Sequence, residues 1–153
     1  MTDLDDFDRR ILRELQRDAR QTVADLAAKI GLSTTPCWRR IKRLEEAGVI
    51  LPARAIVDPK AVGLYETIYV WIALERQAKD AREGFKRRIA DIPEIVEAHY
   101  TAGNWDFVLK VVVPNTAAYD ALLRTTLYGI EGVEKVTSHI VLEPVKYPPE
   151  IPV

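Results

Sequence analysis

The sequence predicts an α+β chain built in two parts, a small helical head followed by a domain that alternates strands with helices. Two observations carry that prediction. Within residues 1–50, three short stretches place apolar residues at helical spacing, and a glycine separates the second from the third. After residue 64, a strand–helix–strand pattern occurs twice, the second copy offset from the first by 38 residues. With 48% apolar residues over 153 positions, the chain has enough material for a core in each part.

The first stretch, 6–18, begins with acids that suit a helix N-terminus and sets Phe7, Ile11, Leu12 and Leu15 on one face. The second, TVADLAAKI, opens on Thr22, whose hydroxyl is placed to cap the helix, with Asp25 three residues on to return the bond. Val23, Leu26, Ala27 and Ile30 form its apolar face. Gly31 ends it, because glycine takes the left-handed conformation without a side-chain clash. Leu32 then turns inward, and Ser33 starts the third stretch.

That third stretch, STTPCWRRIKRLEEAG (33–48), puts Cys37, Ile41 and Leu44 on one stripe and Thr35, Arg39, Lys42 and Arg43 on the other side. Pro36 falls in the first turn, where its missing N–H has no intrahelical role, and Gly48 closes the helix. Helix, short glycine-bearing turn, helix is the helix-turn-helix arrangement, whose second helix enters the DNA major groove. On that reading Thr34, Thr35 and Arg39, with Ser33 at the start, face base edges. Lys42, Arg43 and Arg40 then grip phosphates, which supply affinity and register while base edges supply sequence choice. Two roles suit Trp38: packing against the first helix, or stacking on the DNA backbone. Cys37, on the buried stripe, is expected to be structural rather than redox-active.

Charge adds a constraint. The net charge of −1 combines 12 basic and 10 acidic residues in 1–60 with 10 basic and 13 acidic in 61–153. The head is only mildly basic, so nucleic-acid binding has to rest on where the cations sit. No segment approaches the roughly 18 uninterrupted apolar residues of a membrane span. One cysteine excludes an internal disulfide and a cysteine-rich zinc site. The acidic start, MTDLDDFDRR, lacks the basic and apolar regions of a secretory signal, and the expected location is the cytoplasm.

In the second part, the strand candidates 67–75 and 95–101 shift by 38 residues onto 105–113 and 133–139. The helical stretch 80–90, with Phe85 and Ile89, shifts onto 117–128, with Leu123 and Leu127. Two successive β-α-β copies make a ferredoxin-like βαββαβ unit. Ile68, Val70, Ile72 and Leu74 alternate with Tyr69, Trp71 and Ala73, so both faces of the sheet are expected to be apolar. Two helices cover one face; the other calls for a second layer, most simply another subunit. Between head and sheet, 49–57 (VILPARAIV) is rich in β-prone residues and reads as a strand linker, with Arg54 offering a further phosphate contact.

The halves meet at Thr101-Ala102-Gly103-Asn104-Trp105-Asp106. This loop suits two uses equally. Asp106 can attract the ammonium of a small zwitterion whose carboxylate meets backbone N–H groups, with Trp105 as an apolar wall; or it can cap local N–H groups in a tight turn. Catalytic signatures are lacking. His99 and His139 have no nucleophile or metal-ligand spacing around them, and no phosphate-cradling glycine loop, HExxH or GxSxG occurs. Neither a metal nor a cofactor is expected.

Four segments together carry a resemblance: DRRILRELQRDAR (8–20), LSTTPCWRRIKRLEEAGVI (32–50), HYTAGNWDFVLKVVVP (99–114) and GVEKVTSHIVLEPVK (132–146). Over nearly its whole length the chain resembles the Lrp/AsnC, or feast/famine, transcription regulators. The resemblance implies a winged helix-turn-helix domain at 1–50, a linker at 51–64, and a βαββαβ amino-acid-sensing and oligomerisation domain at 65–153. It also implies homodimers that assemble further, commonly into octamers, on double-stranded DNA. The family's effector site lies between dimers and maps to Gly103, Asn104, Trp105 and Asp106, with Thr137 and Ser138 on the facing strand beside His139. Many relatives have an acid directly after the glycine where this chain has Asn104, so no particular effector transfers. The TTPCW stretch (34–38) and the tail VKYPPEIP (145–152) look most like the cysteine-responsive branch.

The leading expectation is therefore a DNA-binding regulator modulated by an amino acid. The alternative is a ferredoxin-like small-molecule-binding or enzymatic dimer whose head docks proteins. A third is an architectural DNA organiser without an effector. Steep loss of binding as salt rises separates a nucleic-acid complex from the second, and a response to free amino acids separates the first from the third.

Overall fold

The apolar spacing of the head produces three helices, α1 (Asp6–Arg17), α2 (Val23–Ile30) and α3 (Thr34–Glu46). Their inward residues, Ile11, Leu12, Leu26, Ala27, Ile30, Cys37 and Leu44, form one buried cluster, with Leu15, Val23, Leu32 and Ile41 packed around it. Full burial of a side chain such as Leu44 contributes about 1.5–3 kcal/mol. At the start of α1 the structure adds a capping box that pattern reading missed. Asp5 accepts the Asp8 N–H at 2.9 Å, and Asp8 accepts the Asp5 N–H at 3.1 Å. At α2 the Thr22 hydroxyl accepts the Asp25 N–H at 3.1 Å as expected. The returning interaction differs, because Asp25 takes the Thr22 hydroxyl at 2.7 Å. Gly31 ends α2 with φ +78°, in the left-handed region that favours glycine.

The computed structural model describes residues 3–75 and 80–153, and the chain divides into two compact units, Met1–Ile56 with Lys146–Val153, and Val57–Val145. The last residues join the head, where Gln16 donates to the Ile151 carbonyl at 3.0 Å and accepts the Ile151 N–H at 2.7 Å. Arg13 donates to the Val153 carbonyl at 2.6 Å, and the Val153 side chain packs on the head cluster.

Residues 49–57 do not form the expected strand. Val49 and Ile50 pack against the helices, but Leu51, Ile56 and Val57 are exposed and the segment has no regular structure. β-prone side chains make a strand only where a neighbouring backbone satisfies their N–H and C=O groups, and among the described residues none of the strand pairings includes this segment.

The second unit is a four-stranded antiparallel sheet, β1 (Glu66–Leu74), β2 (Ile95–Tyr100), β3 (Phe107–Val113) and β4 (Val133–Ile140), in the order β2-β3-β1-β4. Helices α4 (Ala81–Ala90) and α5 (Thr116–Thr125) complete the βαββαβ path. Ile68, Val70 and Ile72 of β1 and Phe107, Leu109 and Val111 of β3 are buried together with Phe85 and Ile89 of α4 and Tyr119 of α5. α5 stops short of the expected 128 and gives way to a 3-10 turn at Leu127–Gly129. Thr125 bonds back to the Ala121 carbonyl at 2.8 Å, a contact that loosens a helix end.

The opposite sheet face is more mixed than alternation in β1 alone indicates. Cross-strand partners share a face, and register sets Glu97 beside Lys110, Lys110 beside Tyr69, and Tyr69 beside His139. Lys110 lies 2.9 Å from Glu97, and its ammonium holds that carboxyl below the usual range. Trp71, Val108 and Val112 supply the apolar part, Val112 only 6% exposed. Among the described residues, no helix is long and apolar enough to cross a membrane.

Candidate nucleic-acid interface and effector loop

The fold gives α3 one buried and one open side. Cys37 and Leu44 are fully buried and Ile41 half-buried, which anchors the helix, and burial pushes the Cys37 thiol pKa up. Ser33, Thr34, Thr35, Trp38, Arg39, Lys42 and Arg43 are all exposed. Ser33 stands at the N-cap without a side-chain capping bond, so its hydroxyl is not committed to the helix. Trp38 keeps half its surface exposed, which sets it outside the head core. Pro36, Arg39, Arg40 and Arg43 line a shallow depression on this open side. Arg54 is exposed in the irregular segment that follows.

The four cations of α3 are not equivalent. Arg40 donates to Asp5 at 2.6 Å and Asp8 at 2.9 Å, and its guanidinium lies 5.4 Å from the centre of the Phe7 ring. Arg40 therefore ties α3 to α1, in addition to standing where a phosphate contact was expected. Arg43 is half-exposed and pairs with the second oxygen of Asp8. Lys42 pairs with Glu45 at 2.8 Å across an exposed turn. Among the described residues, Arg39 is the one α3 cation with no acidic partner. Nothing in the spacing of apolar residues points to Asp5 and Asp8 as partners of α3; their i, i+3 placement ahead of a helix is the only local signal.

At the junction loop, Gly103 has φ +135°, a conformation that a side chain would strain. Asp106 is half-buried and firmly built in. Its carboxylate accepts the Leu74 N–H at 2.8 Å, its own N–H donates to the Ile72 carbonyl at 2.8 Å, and its carbonyl accepts the Thr101 N–H at 2.8 Å. The Thr101 hydroxyl donates to the Trp105 carbonyl at 2.7 Å. The turn-capping use is thus realised by one oxygen, and the carboxylate keeps a second. Asn104 is exposed, and the Lys135 ammonium sits 5.2 Å from the Trp105 ring centre, a cation over the apolar wall that sequence reading did not single out. Thr137 and Ser138 leave opposite faces of β4. Thr137 pairs with Trp71, on the same open face as Lys135, whereas the Ser138 hydroxyl contacts the buried Tyr119 hydroxyl, whose pKa burial raises.

Comparison with known proteins supplies the context for these two sites. Residues 4–50 match a winged helix-turn-helix DNA-binding family, and residues 67–151 match the Lrp/AsnC ligand binding domain. The chain is 40% identical over 144 residues to the leucine-responsive regulatory protein of Escherichia coli, covering 94% of this chain and 88% of that protein. It is similar to the crystal structure of an AsnC family transcriptional regulator from Agrobacterium tumefaciens, with TM-score 0.90, 43% identity and 97% of each chain covered. A transcriptional regulator from Neisseria meningitidis in complex with L-Met superposes with TM-score 0.93 at 32% identity, covering 98% of this chain and 97% of that one. These relatives are regulators, so the enzymatic alternative is set aside. With its winged helix-turn-helix head and its ligand-binding α+β domain, the chain belongs to the Lrp/AsnC family of DNA-binding transcription regulators.

Proposed function

We propose that the chain reads a specific operator in double-stranded DNA as a homodimer or an octamer of four dimers, in the cytoplasm, and that an amino acid bound between dimers changes its assembly or its grip. The observation that carries the reading is the division of α3 into a buried stripe and an open side bearing Thr34, Thr35 and Arg39. Those three, with Ser33, stand at base edges; Lys42, Arg43 and Arg54 meet phosphates, and Trp38 packs on the backbone. Arg40 contributes mainly by orienting the helix. An effector would bias assembly only by its differential affinity for the states it joins.

The effector site comprises Gly103, Asn104, Trp105 and Asp106, with Thr137 on the neighbouring strand and Ser138 contributing behind it. The free oxygen of Asp106 suits an ammonium, and the Trp105–Lys135 pair suits a side chain and a carboxylate. Methionine, held by the Neisseria regulator, leucine, named in the enteric relative, and cysteine, favoured by the 34–38 and 145–152 stretches, are the first amino acids to test. The test is thermal shift of the full chain against the proteinogenic amino acids, followed by fluorescence anisotropy on a duplex enriched from a random library. The reading expects one amino acid to raise the midpoint and to change DNA affinity. A chain that enriches no duplex, or whose DNA affinity ignores every amino acid, overturns it.

A further inference from the structure

We infer that Asp8 sets the sequence selectivity of α3 by clamping Arg40 and Arg43, so that both guanidiniums act as fixed parts of one interface. This rests on the DNA reading of α3 given above. Asp8 belongs to α1, yet it is the one charged side chain fully buried among the described residues. A buried carboxylate persists only when its oxygens are satisfied. Here one oxygen takes Arg40 at 2.9 Å, and the other takes the Asp5 N–H at 3.1 Å together with Arg43.

The consequence differs for the two arginines. Arg40 is held by Asp8, by Asp5 at 2.6 Å, and by the Phe7 ring. Arg43 is held along one edge only, and half of its side chain stays exposed. A guanidinium carries five N–H donors in a rigid fork, so fixing one edge aims the other at a single phosphate position. The two acids also balance the two arginines, which lowers the attraction of α3 for phosphates in general. Affinity for any duplex scales with the number of mobile cations that reach phosphates. Without the Asp8 charge, Arg43 becomes such a cation and Arg40 keeps only Asp5 and the Phe7 ring, so indiscriminate binding rises while the aimed contact is lost.

The test uses the full chain, a duplex enriched from a random library by the parent protein, and a scrambled duplex of the same composition, across a range of salt. With Asp8→Asn, binding to the scrambled duplex is expected to tighten and its log–log salt slope to steepen by about one to two. The ratio between the two affinities is expected to narrow by about tenfold. Arg43→Lys, at a half-exposed site that does not threaten folding, keeps the charge but loses the fork; the ratio narrows and the slope stays as in the parent. A general loss of folding weakens binding to both duplexes and flattens the slope, the opposite of the tightening expected on the scrambled duplex. If either folded variant keeps the parent's ratio, the clamp is refuted while the DNA reading stands. A parent that enriches no duplex refutes the DNA reading itself.

Discussion

Substitutions at Asp106 separate the two uses of its carboxylate. One oxygen accepts the Leu74 N–H at 2.8 Å at the end of β1. Asp106→Ala leaves that donor unpaired, and an unsatisfied buried donor costs about 1–3 kcal/mol. The site is half-buried, so water recovers part of this and the low end, about 1 kcal/mol, applies. For a unit the size of Val57–Val145 that lowers the melting midpoint by about 4–8 °C. Asp106→Asn retains an oxygen for Leu74 and removes the charge, so its midpoint is expected to match the parent. The assay is thermal melting with and without saturating amino acid, paired with anisotropy on the enriched duplex. The Ala variant is expected to lose both stability and the effector shift, and the Asn variant the effector shift alone, with DNA binding intact in both. An Asn variant still stabilised fully by the amino acid refutes the carboxylate–ammonium contact. An Ala variant that melts with the parent refutes the capping role.

Three further outcomes are open to measurement. Arg39→Ala should weaken operator binding by about 1–3 kcal/mol, whereas Lys42→Ala should chiefly lower the salt slope by about one; equal affinity of the Arg39 variant and the parent in anisotropy would remove Arg39 from the interface. Cys37 is fully buried with its thiol pKa pushed up, so a thiol reagent should label the native chain slowly and the denatured chain fast; rapid native labelling contradicts this placement. The Asp8 N–H, and after it Arg40, hold the Asp5 carboxyl below its ordinary range. A depressed folded-state pKa stabilises fully above the unfolded value of about 4 and is lost as pH falls through the folded value. The melting gap between the parent and Asp5→Ala should therefore be constant from neutral pH to about 4 and narrow below it; a gap independent of pH rules the charge effect out.

What the sequence discloses and what it hides divide along a physical line. The stripe of Cys37, Ile41 and Leu44, the glycine at 31, and the inward alternation of Ile68, Val70 and Ile72 are set by local geometry, because helices and strands impose periods of 3.6 and 2. The β-prone residues of 49–57 point instead to a strand that the single chain does not form, since a strand depends on a partner backbone and not on its own side chains. The tail is hidden for a related reason. Much of its attachment runs from Gln16 and Arg13 to the backbone of Ile151 and Val153, and backbone groups carry no residue identity.

Asp8 and Asp106 show the same limit at the two candidate sites. The Asp8–Arg40 and Asp106–Leu74 bonds each span 32 residues, far beyond the reach of any helical or strand period. Each acid sits beside residues assigned to a ligand, and each commits oxygen to the scaffold. Truncating either one removes a scaffold bond together with the charge, while the amide removes the charge and spares much of the shape. In the head this arrangement also accounts for the mild charge of residues 1–60, where acids nearly balance bases. With Arg40, Lys42 and Arg43 all paired to acids, Arg39 is the uncommitted cation of α3 among the described residues. On the proposed reading, such a helix would attract DNA weakly as a single copy and discriminate by fixed geometry, and an assembly presenting several copies at once would restore the affinity that each copy lacks.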